Sequence, residues 1–299
     1  MSAWSGTRAG VLYNKRMPEL PEVETIARGV HARVRGDRIL EVWFGSHREP
    51  FKTSAARQAR GLEGRAILTV RRSGKHIVLD LSGPAGGGDP DQRSGPANAQ
   101  WIVHLGMTGR LLVTAPDAPV APHTHARLTL TGGRQLRFVD PRRFGRLEFR
   151  DLARGEGFAR PGAEPLTIEK VDFAKLFRGR RLAIKAALLN QRLLSGVGNI
   201  YADESLFRAG IRPRKAAGRL TAAELERLRL ALREVLLHAI QLGGSSVSDY
   251  VGADGERGFF QLEHCVYQRG GEPCLNCGTL IRRIVVGGRS THYCPHCQK

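Results

Sequence analysis

Cys274-Leu-Asn-Cys277 and, sixteen residues further on, Cys294-Pro-His-Cys297 close this 299-residue chain. Two close thiolate pairs on a short hairpin suit one tetrahedral Zn2+ ion. Four protein ligands leave no open coordination position, so a metal held there is structural rather than catalytic. Two disulfides or free thiols are the alternative reading. Cys265 is left over and reads as a free thiol. His264, His292 and His296 lie close by, but four cysteines already complete a ligand set. All five cysteines fall between positions 265 and 297, which argues against a scattered disulfide framework and for a reducing compartment.

Between the pairs stand Arg282, Arg283 and Arg289, with Lys299 at the end and Glu272 as the one acid of this segment. A hairpin with a basic tip is suited to lie along a phosphate backbone, although ordinary surface charge looks the same locally. The whole chain sharpens the choice. Lys and Arg number 47 against 28 Asp and Glu, giving a net charge of +19 and a pI near 10.7, which points to a polyanionic partner. Residues 1–16 add only Arg8, Lys15 and Arg16, so the surplus belongs to the body of the chain. No apolar run is long enough for a transmembrane helix. The first 16 residues lack the apolar core of a secretory signal; they are read as an extension absent from the mature protein, from an upstream start or, less simply, a transit peptide.

Working back from the cysteines, the chain turns helical. Thr221 to Leu242 carries a capping box, Thr221 with Glu224, and an apolar face through Leu225, Leu228, Leu232, Val235, Leu236 and Ile240. Phe173–Phe177, Leu182–Leu194 and Ile200–Ala209 also read as helices. Between the last two, Leu194-Ser-Gly-Val-Gly-Asn-Ile-Tyr201 makes a Gly-x-Gly turn that exposes amides at a helix start. That is a phosphate site with Asn199 as an added donor, or a plain helix–turn–helix.

Upstream the period changes to two. Ile39–Phe44, Ala66–Val70, His76–Leu81, Trp101–Leu105, Arg110–Val113, Ala126–Leu130 and Gln135–Val139 read as seven short strands of an antiparallel sandwich. The Gly/Pro/Asp-rich stretch 82–98 is a surface loop. The expected division is an extension at 1–16, a β-sandwich domain at 17–150, a linker at 151–165, a helical domain at 166–262 and a zinc module at 263–299.

The sandwich opens on Met17-Pro-Glu-Leu-Pro-Glu22, followed by helical spacing through Val23, Ile26, Ala27, Val30 and Val34 to Gly36. With Met17 as initiator and removed, Pro18 is a free secondary amine, partly neutral near pH 7 and nucleophilic, with Glu19 beside it as acid/base. As an internal residue, Pro18 has an amide nitrogen without a basic lone pair. Two turns, His104-Leu-Gly-Met-Thr-Gly109 and Asp140-Pro-Arg-Arg-Phe-Gly145, set Met107 and Phe144 beside glycines. They are DNA wedges, with Arg142 filling the space of a displaced base, or core residues. Lys75 is a phosphate contact or a solvated lysine.

Together and in this order, these segments resemble the bacterial formamidopyrimidine-DNA glycosylase family. Pro18-Glu-Leu-Pro-Glu-Val-Glu-Thr25, Gly74-Lys75, the 104–109 and 140–145 turns, Gly162-Ala-Glu-Pro-Leu166, Gly196-Val-Gly-Asn-Ile-Tyr-Ala202 and the cysteine hairpin carry the likeness from Met17 to Lys299. Leu20 favours this branch over the endonuclease VIII branch, which usually has Gly there. The resemblance implies an α+β multidomain fold: a β-sandwich with an N-terminal helix, a helix-two-turn-helix domain and a four-cysteine zinc-finger β-hairpin, with DNA in the cleft between them.

It also implies a bifunctional glycosylase and abasic-site lyase of base excision repair. Pro18 would attack C1′ of a flipped oxidised purine nucleotide (8-oxoguanine or a formamidopyrimidine), Glu19 would serve as acid/base, and β and δ eliminations would cut the strand. Lys75, Asn199 and Arg289 would hold phosphates, Met107, Arg142 and Phe144 would fill the vacated stack, and Glu22 and His104 would support DNA binding. Gly244 to Gly258 matches the segment that covers the lesion in this family. The implied partner is double-stranded DNA with oxidised bases or abasic sites, bound by a monomer in the bacterial cytoplasm, with one structural Zn2+ and no membrane. An oxidised-pyrimidine glycosylase, a damage binder without activity if residues 1–16 are retained, and a zinc-ribbon transcription factor are the alternatives.

Overall fold

Pro21 has no N–H to lose in a helix's first turn, and the apolar residues after it recur on one face, so helix α1 (Leu20–Val34) forms where the spacing predicts. Gly36, at φ +85°, takes the chain out of it. The computed structural model describes residues 17–47, 50–83, 96–245 and 258–299. The 1–16 extension, most of the 82–98 loop and most of the 244–258 segment lie outside the described residues.

After α1 come β1 (Ile39–Phe44), α2 (Ala55–Leu62), β2 (Ile67–Ser73), β3 (His76–Leu81), β4 (Ala99–His104), β5 (Arg110–Thr114), β6 (Thr124–Leu130), β7 (Gln135–Val139) and β8 (Arg146–Asp151). They build two antiparallel four-stranded sheets, ordered β1-β6-β7-β5 and β2-β3-β4-β8. Inward side chains such as Trp101, Ile77, Leu79, Leu128, Leu136 and Phe138 form the core, which α1 joins through Val23, Ile26, Val30 and Val34.

The sequence reading gives seven strands without a helix among them; the structure adds β8 and α2. In β8, Leu147 and Phe149 point inward between half-exposed charged neighbours, an alternation that marks a strand. In α2 only Gln58 and Leu62 are buried, so little apolar periodicity marks it. Ser54 caps it by accepting the Arg57 N–H, and Gln58 accepts the buried Trp101 indole N–H at 2.9 Å.

The second body has α3 (Lys170–Phe177), α4 (Ile184–Leu188), α5 (Asn199–Arg208) and α6 (Ala222–Gln241), whose capping box is the one expected. The helix expected over 182–194 stops early. Asn190 turns its carboxamide oxygen onto the Arg192 N–H at 3.0 Å, a local bond that competes with helix continuation. Leu20 is buried in this body's core beside Val197, Ile200 and Tyr201, while Val23 onward belongs to the sandwich. The first turn of α1 therefore straddles both bodies and delivers Pro18, Glu19 and Glu22 to the seam.

The chain ends in a two-stranded hairpin, β9 (Arg282–Val286) and β10 (Arg289–Tyr293). Gly287 and Gly288 turn it at φ +58° and +74°, the left-handed pair a tight two-residue turn requires. No helix among the described residues is long and apolar enough to cross a membrane.

Candidate active site and nucleic-acid interface

The seam is tied by the two glutamates. Leu20 donates its N–H to the Gly196 carbonyl at 3.0 Å. Glu22 accepts the Glu19 N–H at 2.9 Å on one oxygen, and the Tyr201 hydroxyl at 2.5 Å and the Ser245 N–H at 2.7 Å on the other. A single buried carboxylate thus joins α1, α5 and the stretch after α6. Glu19 lies against the start of α5, where its carboxylate accepts the Ile200 N–H at 3.4 Å. A side chain at Gly198 would run into that carboxylate, so only glycine permits the approach. The other Glu19 oxygen is buried without a hydrogen-bond partner among the described residues.

Burial raises the Glu19 pKa to about 7, with the Glu22 charge adding to the rise; Lys75 and the Ile200 and Asn199 amides pull the other way. Glu22 is likewise pushed up by burial, against the hydrogen bonds from Ser245 and Tyr201. Burial lowers the half-buried Lys75 amine, opposed by Glu19 and Glu22 and assisted by Arg289. These groups sense one another's charge and form one electrostatic cluster. Pro18, half-buried, stands beside it.

Asn199, the first residue of α5, donates its carboxamide to the Ser290 carbonyl at 3.0 Å, and its own oxygen is buried without a partner among the described residues. The same carbonyl accepts the Lys185 ammonium at 2.8 Å. Lys185 also meets Asp203 at 2.7 Å with both side chains fully buried, and Asp203 accepts the His292 N–H at 2.9 Å. Arg289, exposed at the hairpin tip, is therefore set by the carbonyl that follows it, held from two helices. Glu204 fixes the other end of the module, accepting the N–H groups of Cys265, Val266 and Tyr267 at 2.8–3.0 Å.

The turns at 104–109 and 140–145 meet. Asp140, fully buried, accepts the Thr108 hydroxyl at 2.5 Å, the Arg142 N–H at 3.3 Å and the Gly145 N–H at 2.7 Å. Gly106, at φ +64°, lies so close to the Phe144–Gly145 backbone that a Cβ would not fit. Met107 is half-buried, Phe144 is 47% exposed, and the Arg142 guanidinium sits 4.6 Å from the Phe144 ring centroid. The exposure of Phe144 speaks against the core alternative for that residue, whereas Met107, half-buried, fits either reading.

His104 closes the nearby recess, of about 330 Å3, with His76, Lys52 and Arg146. Its Nδ1 accepts the Gly106 N–H at 3.2 Å, so the neutral ring carries its proton on Nε2. Burial first, then the charges of His76, Lys75 and Arg146, hold the His104 pKa down at about 4.

At the cysteine hairpin all four Sγ atoms lie within 4.8 Å of one another, with Cys274–Cys297 at 4.0 Å and Cys277–Cys294 at 3.5 Å. Zn–S bonds of ~2.3 Å in a regular tetrahedron put sulfurs roughly 3.8 Å apart, so the donor set fits zinc and the spacings are far from a disulfide bond. Cys265, His264 and His292 stand outside the cluster, as the sequence predicts.

Sequence reading does not single out Arg72, yet its guanidinium joins the bodies, meeting Glu24 of α1 and Glu164 at 2.8 Å each while its side chain is 6% exposed. Lys185, Asp203, Glu204 and Ser245 also escape it. Their partners lie tens of residues away or more, a separation that leaves no local pattern.

The comparisons with known proteins agree along the chain. The family model for the formamidopyrimidine-DNA glycosylase N-terminal domain matches residues 17–147, that for its H2TH domain residues 161–251, and that for the zinc finger found in FPG and IleRS residues 271–299. A formamidopyrimidine-DNA glycosylase from Solibacter usitatus is 47% identical over 283 residues, covering 95% of this chain and all of that protein. One from Cupriavidus pinatubonensis is 46% identical over 94% of this chain and all of its own length. Among solved structures, a Lactococcus lactis FPG variant in complex with Fapy-dG-containing DNA superposes with TM-score 0.82 at 32% identity, covering 94% of this chain and all of that one. The MutM (FPG) protein of Thermus thermophilus gives 0.77 at 41% identity, over 94% and 98% of the two chains. With three domain models in register and near-complete coverage by these relatives, the chain belongs to the formamidopyrimidine-DNA glycosylase family.

Proposed function

We infer that this protein is a DNA glycosylase and abasic-site lyase of base excision repair, acting on double-stranded DNA that carries oxidised purines or abasic sites in a bacterial cytoplasm. The observation that carries the reading is the seam. A residue at the entry to α1 stands beside a buried carboxyl with a pKa of about 7, in the field of Lys75, which in turn senses Arg289. That carboxyl is poised to give and take a proton near neutrality.

The chemistry requires Pro18 to be the amino terminus. Its lone pair then forms a bond to C1′ as the C1′–base bond breaks; the base leaves with the electron pair of that bond and takes up the proton that the Pro18 nitrogen releases. Glu19, protonated, gives its proton to the ribose ring oxygen; the ring opens, and an iminium joins Pro18 to C1′. A secondary amine suits this, because its iminium has no N–H proton to lose. Glu19, now a carboxylate, takes the C2′ proton as the 3′ phosphate leaves, and a second elimination expels the 5′ phosphate. Lys75, Asn199 and Arg289 are assigned to the phosphates around the extruded nucleotide, and Met107, Arg142 and Phe144 to the gap it leaves, with Arg142 toward the orphaned base. His104, neutral with a donor on Nε2, is assigned to a phosphate as well. Glu22 orders the pocket. The zinc holds the hairpin that presents Arg289 and takes no part in bond making.

Mass spectrometry of the purified N-terminus, followed by borohydride trapping on 8-oxoguanine DNA, tests the reading. Chains beginning at Pro18 are expected to form a covalent adduct, and Pro18→Gly sharply less. A Pro18 chain that gives no adduct defeats the assignment.

A further inference from the structure

The sheet β2-β3-β4-β8 has two ends. One carries Lys75, His104 and Arg146 and belongs to the seam and the wedge turns. At the other, about 20 Å away along six-residue strands at ~3.3 Å per residue, α2 and the end of β8 enclose a recess of about 610 Å3. Arg57, Arg60, Arg65 and Arg154 line it, with Asp151 as the one acid among them.

The charges there do not balance. Arg57 is met by both oxygens of Glu156 at 2.7 and 2.8 Å, and Arg154 meets Asp151 at 3.4 Å. Arg65 faces neutral acceptors: its guanidinium donates to the carbonyls of Gly61 and Ser82 and to the Asn98 carboxamide, and it rests 5.7 Å from the Phe149 ring centroid. Arg60 has no ion pair among the described residues and is exposed. Among the described residues Arg60 has no ion pair and Arg65 has only the field of Asp151, which Arg154 already meets, so four guanidiniums share two carboxylates at one concave spot. Ser54, the cap of α2, lines the recess together with Arg57, Arg60 and Gly61, so the recess runs along the side of that helix. Guanidinium forks match phosphate oxygens in geometry and charge.

We propose that this recess is a second anion site, separate from the reaction centre, that takes an oligophosphate group: either the chain of a free nucleoside polyphosphate or the backbone of a second nucleic acid. A phosphate chain seated against Arg60 and Arg65 supplies the missing negative charge, and Arg154 and Arg57 swing from exposed ion pairs to flank it.

The test uses the full chain saturated with a short duplex carrying a tetrahydrofuran abasic analogue, so that the reaction cleft is filled. Titration calorimetry with inorganic triphosphate is expected to find one site per chain. Arg60→Glu should weaken it about tenfold, and Arg60→Glu with Arg154→Glu about a hundredfold, one decade per ~1.4 kcal/mol of lost charge-assisted contact. Both variants should fold, since Arg60 is unpaired among the described residues and Arg154 has only an exposed pair, worth at most about 1 kcal/mol. A second arm presents the immobilised complex with a labelled undamaged duplex. Capture that is lost in the double variant assigns the site to a second nucleic acid, and triphosphate binding without capture assigns it to a free polyphosphate. No binding in either arm, or binding that the double variant leaves unchanged, overturns the proposal.

Discussion

Glu19 carries two opposed demands. Its carboxyl is 5% exposed and one oxygen lacks a partner among the described residues, so ionising it in the native state is costly; its pKa of about 7 against 4.5 in the open chain expresses that cost. The native state then binds the proton more tightly than the unfolded state. Stability from this group is present below pH 4.5 and is lost as pH rises toward 7, of order a few kcal/mol at about 1.4 per pKa unit. Glu19→Gln removes the ionisation. Its thermal midpoint is expected to exceed that of the native sequence at pH 8 and to come close to it at pH 4, while base excision falls roughly 10²–10⁴-fold, the span of a lost general acid/base. Midpoints that move together at both pH values would refute the assignment of the titration to Glu19. The role proposed for Glu19 comes from its place after Pro18. Its pKa does not, because the burial comes from Gly198 and Ile200, about 180 positions away.

The zinc hairpin is the element most legible in the sequence, since four cysteines at fixed spacing specify both metal and turn. Its own apolar core is small: Val266, Ile281 and two of the cysteines, packed on Phe207. Metal binding and folding of such a module are therefore one equilibrium. Cys274→Ser is expected to release zinc, abolish DNA binding and leave most of the far-UV circular dichroism, because the sandwich and the four helices have separate cores. Retained DNA affinity after zinc loss would contradict this. What the cysteine spacing does not disclose is how the module is aimed. Ser290 between Lys185 and Asn199, and Glu204 under three amides, are long-range pairings without periodicity, whereas α6 is legible nearly to its ends because its cap and apolar face are local. Likewise α2 escapes sequence reading because it buries two residues, and 182–194 looks longer than the helix it forms because its leucines repeat while Asn190 breaks the turn.

At the scale of the molecule, the two bodies must hold a fixed seam if Glu19, Lys75 and Arg289 are to meet one nucleotide. Leu20 reaches across it by packing, Glu22 by hydrogen bonds and Arg72 by charge. Arg72 is silent in the sequence, one arginine among many in a chain of net charge +19. In the structure it is distinctive, because its guanidinium lies between two carboxylates on opposite bodies and is nearly buried. Removing one partner of such a cluster strands the others, so Arg72→Met should cost about 3 kcal/mol, near the lower end for a buried pair. Its effect on DNA separates it from Arg289. A residue that neutralises a phosphate contributes to counterion release, so Arg289→Ala should lower the slope of log affinity against log salt by about 1. Arg72 meets carboxylates and positions the bodies. Its replacement should weaken binding while leaving the slope unchanged, and should slow excision even at saturating DNA, as the seam no longer holds Glu19 against α5. A reduced slope in Arg72→Met would mean that this guanidinium faces the nucleic acid instead of bracing the seam.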